Sequence, residues 1–128
     1  MTRILYLLDL TILLIMCFSC NKCSRTDRFN CDKCIMLTDR ATCTKYYLDT
    51  SRIYIFAVDS TGKILWKTDP WKDNKLEEYR VNRPTIIYFA LDSNKFTGFK
   101  KVIWITYNSS QFGFLDLLTG KFTFQGQD

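Results

Sequence analysis

From residue 52 onward the chain alternates short apolar runs with short polar clusters, a strand-and-turn rhythm rather than a helical one. RIYIFAV (52–58) is β-branched and aromatic and too short for a typical helix. The turn cluster DSTG (59–62) follows it, then KILWKT (63–68), and the three pieces predict a β-hairpin. PTIIYFAL (84–91) opens on Pro84, where a strand tolerates proline. With the loop DSNKFTG (92–98) and KKVIWITY (100–107) it predicts a second hairpin. QFGFLDL (111–117) and KFTFQ (121–125) flank LTG and predict a third. The expected fold is mainly β: about six strands, antiparallel, in sequential meander order, because short hairpin loops join only antiparallel strands.

The faces of these strands carry further information. IYIFAV and VIWIT are apolar on both sides, so the sheet is either covered on both faces or curled into a closed or sandwiched form. KFTFQ alternates, with Phe122 and Phe124 on one side and Lys121, Thr123 and Gln125 on the other. The one long polar stretch is DPWKDNKLEEYRVNRP (69–84), in which residues 73–80 fit one or two helical turns capped by Asp73. Loops of this length in small domains often carry function.

The first residues obey a different pattern. Residues 4–19 are almost wholly apolar behind Arg3, interrupted by Asp9, and are shorter than the ~20 residues of a helical span. A basic start, an apolar middle and the small residue Ser19 describe an export signal. Cys20 follows directly, and CFSCNK resembles the lipobox of bacterial lipoproteins, with Cys17 and Phe18 departing from its commoner residues. That resemblance implies lipidation of Cys20, a mature chain beginning there, and stable anchoring by two or more acyl chains. An unlipidated secretory signal and an uncleaved anchor are the other readings, and each places the body outside the cytoplasm. The expected organisation is a signal peptide over 1–19, a cysteine-bearing linker over 20–45 and a β domain over 46–128. Since NKCSR follows Cys20 without an acidic residue, the expected location is the outer membrane, facing the periplasm.

With Cys17 in the signal and Cys20 carrying lipid, Cys23, Cys31, Cys34 and Cys43 remain, an even set in an oxidising setting that predicts two disulfides. Three pairings are open. The nested one, Cys23–Cys43 around Cys31–Cys34, is preferred without being dictated by the sequence. A four-cysteine zinc site is the alternative, weakened by the presence of a single CxxC. A redox-active CDKC is another, weakened by polar flanks where a strand and helix would be needed.

AVDSTGKILWKTD (57–69) and GFLDLLTGKFTFQGQD (113–128) resemble partial repeats of the pyrroloquinoline-quinone-type β-propeller, with Phe124 in place of Trp in the second. A propeller needs 4–8 four-stranded blades, so the resemblance implies two hairpins of similar chemistry and no quinone cofactor. In each, Asp opens the turn, Gly supplies the unusual backbone angle and an aromatic packs the next strand.

Net charge is +5, from 18 basic and 13 acidic residues mixed along the chain, and no basic cluster suggests nucleic acid. The chain has no histidine, which removes the commonest general base and the Ser-His and Cys-His dyads. Glu77 and Glu78 are adjacent and point apart on extended backbone, while Asp59 and Asp116 read as turn formers. No catalytic residue, metal ligand or cofactor is therefore assigned. Asn108-Ser-Ser fits a glycosylation sequon that matters only in a eukaryotic secretory pathway. Trp66 and Trp104, on strands, are expected in the core. Trp71, in the polar loop, is the expected contact residue, with Glu77, Glu78 and Tyr79 beside it. The sequence thus points to a non-catalytic, lipid-anchored envelope protein, an accessory or immunity-type factor that binds a protein partner. The other class it suggests is a carbohydrate- or cell-wall-binding module, or a weak hydrolase, using the 69–84 loop.

Overall fold

The computed structural model describes Cys23 and residues 29–128. Residues 1–19, read as a signal peptide, and Cys20, read as the lipidation site, lie outside the described residues. The fold is mainly β, built as two four-stranded antiparallel sheets. Sheet 1 consists of β1 (Ile35–Asp39), β2 (Thr44–Leu48), β3 (Ile55–Val58) and β4 (Ile64–Thr68), in that order. Sheet 2 consists of β5 (Ile86–Asp92), β6 (Val102–Tyr107), β7 (Gln111–Leu115) and β8 (Phe122–Gln127), again in order. All three expected hairpins form, as β3–β4, β5–β6 and β7–β8.

Two strands were not anticipated, and the chain has eight where about six were expected. β1 lies inside the segment read as a linker, and β2 begins within it. Their hairpin is closed by Asp39, whose carboxylate accepts from the Ala41 amide at 3.2 Å and the Thr42 hydroxyl at 3.2 Å. Cys43 takes the left-handed conformation at the end of that turn, φ 56°. The helical turn is displaced too. It covers Pro70–Asp73 (α1), capped by Asp69 rather than Asp73, with Pro70 where a missing N–H costs nothing.

The sheets share one core. Tyr46, Leu48, Ile55 and Ala57 from sheet 1 pack with Ile86, Ile103, Ile105, Tyr107, Leu115 and Phe122 from sheet 2. Strand alternation puts Tyr47, Phe56 and Val58 on the opposite, outward face of sheet 1. These are buried as well, under Phe29, Cys31 and Cys34. That explains the unbroken apolar run in β3: both of its faces are covered.

A side chain from each sheet locks the two together. Trp66 of β4 reaches the β7–β8 turn, where its Nε1–H donates to the Leu117 carbonyl at 3.0 Å. Its ring lies where a Cβ on Gly120 would sit 2.5 Å from the indole. Trp66 thus packs against the shared core, as expected. Lys101, entering β6, meets the buried Asp39 carboxylate across the sheets at 3.0 Å.

Candidate binding face

The cysteines pair as Cys23–Cys43 and Cys31–Cys34, with Cα separations of 5.2 and 5.4 Å. Pairing leaves none of the four as a thiolate for zinc. The bridges have a structural consequence: they fold residues 29–34 back over sheet 1. Phe29 sits 5.0 Å from the Tyr47 ring and 4.9 Å from Phe56, and Tyr47 stacks on Phe56 at 5.3 Å. This aromatic triad closes the outer face of sheet 1.

Sheet 2 carries no such cover among the described residues. Ile103, Ile105 and Leu115 point into the core, so Trp104, Thr106, Phe112 and Phe114 point outward. Strand register assembles them into two rows. Ala90, Trp104, Phe114 and Thr123 lie side by side, and next to them Tyr88, Thr106, Phe112 and Gly126. Trp104 is 6.0 Å from Phe114 and 6.1 Å from Phe112, at interplanar angles of 24° and 32°. The three rings make a shallow aromatic platform. Gly126 permits part of it, since a Cβ there would come within 3.2 Å of the Phe112 ring.

The loop between β5 and β6 borders the platform. Asn94 caps a 3-10 turn, Lys95–Thr97, by accepting from the Phe96 amide at 3.0 Å, and Gly98 ends it in the left-handed region. This turn presents Phe96, which is 66% exposed. Asn94, Phe96 and Gln125 join Trp104 and Phe112 around one hollow. Phe96 also lines a second, more polar cleft with Lys100, Phe114, Asp116 and Lys121. There Lys100 pairs with Asp116 at 2.6 Å, which holds the Asp116 carboxyl below its ordinary value. Amides from Leu118 and Thr119 act in the same direction.

The residues singled out in the 69–84 loop occupy other places. Trp71 is half-buried, packs against the shared core and lies under the Arg83 guanidinium at 4.9 Å. Arg83 in turn pairs with the buried Asp69. Tyr79 donates its hydroxyl to the Asp128 carbonyl at 2.6 Å. Glu77 and Glu78 are exposed, and the Glu77 carbonyl accepts from Gln111 at 3.0 Å. With Arg80 donating to Ser110 at 3.2 Å, these bonds strap the loop to sheet 2.

Trp104, read from sequence as a core residue, is the half-buried centre of the outward platform. A signal for it was present: Trp104, Phe112 and Phe114 alternate along VIWIT and QFGFL with Ile103, Ile105 and Leu115, which enter the core. What the sequence withheld was which side the other sheet would cover. Among the described residues no group of His, Cys, Asp and Glu side chains is arranged to hold a metal, and no helix is long and apolar enough to cross a membrane. The chain matches no family model, no curated protein and no solved structure.

Proposed function

We propose that this is a small lipid-anchored envelope protein, non-catalytic, that binds a protein partner through the outward face of sheet 2. The observation that carries the reading is the asymmetry between the two sheets. The outer face of sheet 1 is sealed by a disulfide-held segment, while on the equivalent surface of sheet 2 the described residues provide no such cover, and Tyr88 is exposed beside the half-buried Trp104, Phe112 and Phe114. Clustered aromatics that keep one face open to solvent mark interaction surfaces, and Trp and Tyr are the residues that most often dominate binding energy there. Anchoring at Cys20 would hold the protein close to the membrane, among other envelope proteins. A photo-crosslinking amino acid at position 112, in native envelopes, tests the idea. The expected product is a protein–protein adduct that Trp104→Ala diminishes at least tenfold. An adduct insensitive to Trp104→Ala, or no protein adduct, would sink it.

A second reading has one specific observation in its favour. The side-chain amides of Asn94 and Gln125 flank the Trp104–Phe112 hollow, and amides beside aromatic rings suit a sugar's hydroxyls and its apolar ring face. Retention of cell-wall glycan by the wild type, lost in Trp104→Ala and kept in Trp71→Ala, would favour that reading over the first.

A further inference from the structure

The two sheets share one strand plan. Each is a four-stranded antiparallel meander, and each joins its third and fourth strands through an Asp-initiated Thr-Gly-Lys turn, one residue longer in the second. Aligning Asp59 with Asp116 places Val58 on Leu115, Ala57 on Phe114 and Ile55 on Phe112. The cross-strand register extends the match, because Tyr46 opposes Ala57 and Trp104 opposes Phe114.

The faces then follow. Tyr46, Ile55 and Ala57 form the face of sheet 1 that docks on sheet 2. Their counterparts Trp104, Phe112 and Phe114 form the open outward face of sheet 2. The face of sheet 2 that receives sheet 1 carries Leu115, whose counterpart Val58 lies on the capped face of sheet 1. The two units therefore stack head to tail, and among the described residues nothing is docked on the outward face of sheet 2. Stacked units of this kind bury their apolar faces only against neighbours, and the end units need a cap.

We infer that the occupant of the open face is a second copy of this chain, docked head to tail as sheet 1 docks on sheet 2, and that residues 29–34 are the stop that competes with it. The receiving face on that second copy is the Tyr47, Phe56 and Val58 surface, which Phe29 and the Cys31–Cys34 bridge now cover. Such a contact is heterologous, so without the stop it would propagate. The inference rests on the reading of this face as protein-binding, and names the partner.

The test is the mass of the full chain in detergent by sedimentation equilibrium. The oxidised wild type should be a single copy. Phe29→Asp places a charge against Tyr47 and Phe56, releases the stop, and should give a concentration-dependent rise to dimer and beyond. Phe29→Asp with Trp104→Asp should return to a single copy. Mixed with wild type, that double variant should give a one-to-one complex and nothing larger, since each chain then offers one competent face. A Phe29→Asp chain that stays single, or a double variant that still self-associates, overturns the inference. Near-UV circular dichroism verifies folding. Cys31→Ser/Cys34→Ser replaces Phe29→Asp, and Tyr88→Asp replaces Trp104→Asp, if either fails to fold. Should Phe29→Asp stay single while position 112 still crosslinks to another protein, the self-docking idea falls and the protein-binding reading stands. Loss of both disposes of both.

Discussion

Single aspartates set the geometry of this fold. Asp39, Asp49, Asp59 and Asp116 each stand at the end of a strand, and each carboxylate gathers amide or hydroxyl donors from the loop that follows. Asp59 accepts from the Thr61 amide, the Thr61 hydroxyl and the Lys63 amide at 2.7–3.0 Å. Asp49 accepts from the Ile53 and Tyr54 amides at 3.0 Å. All four carboxyls titrate below the ordinary carboxylate value. At Asp59 and Asp116 the largest cause is a side-chain donor, Thr61 and Lys100 respectively. At Asp39 and Asp49 burial opposes the shift, and the donors, Lys101 and Ser51 foremost, outweigh it. The sign of the linkage is fixed by these directions. A carboxyl depressed on folding adds stability above its unfolded value of 3.8, and that stability fades as pH falls through the lower folded value. Denaturant midpoints should therefore hold from neutral pH to about pH 4 and fall below it. Asp39→Asn should lower the neutral-pH midpoint and flatten the acid decline; an unchanged slope would remove Asp39 from this account.

Elements meet through their turns as much as through their strands. The β7–β8 turn is at once a hairpin connection and a socket for Trp66, and Gly120 serves both roles. Its φ of +71° suits glycine, and its missing Cβ is what admits the indole. Gly120→Ala should therefore strain the turn and push Trp66 out of contact, a loss of about 2–3 kcal/mol in urea unfolding. Gly98 is the control, since it has a similar φ of +61° with open space around its absent Cβ. Gly98→Ala should cost about 1 kcal/mol, the backbone contribution alone. Equal losses at the two sites would show that the socket contributes nothing.

At the scale of the molecule, the amino-terminal segment matters because of where it lies. The Cys23–Cys43 bridge spans 20 residues and holds the covering segment to the edge hairpin of sheet 1. A loop of that size corresponds to roughly 3 kcal/mol of restricted unfolded chain. Cys23→Ser/Cys43→Ser should lose about that much stability in guanidinium unfolding, and opening the short Cys31–Cys34 loop should lose less. The reverse order would mean that the cap is held by its inner bridge. The same segment explains why the two sheets, built alike, present different outer surfaces. One outer face is covered from within the chain, and the other has no such cover among the described residues.

Much of this was legible in the residues. β-branched and aromatic runs separated by Asp-Thr-Gly turns specify antiparallel hairpins locally, so β3–β4, β5–β6 and β7–β8 followed from the chain itself. The nested cysteine pairing was the preferred one of three. β1 escaped because IMLTD sits among polar and cysteine residues and becomes a strand only by pairing with β2. Which way Trp104 faces was not legible, because a strand apolar on both sides carries no record of which face a neighbouring sheet will cover. Local sequence determined the strands, turns and cross-links, because those depend on near neighbours. The division into two stacked sheets, the sealing of one outer face and the opening of the other were decided by long-range packing, where the burial of one surface settles the exposure of the next.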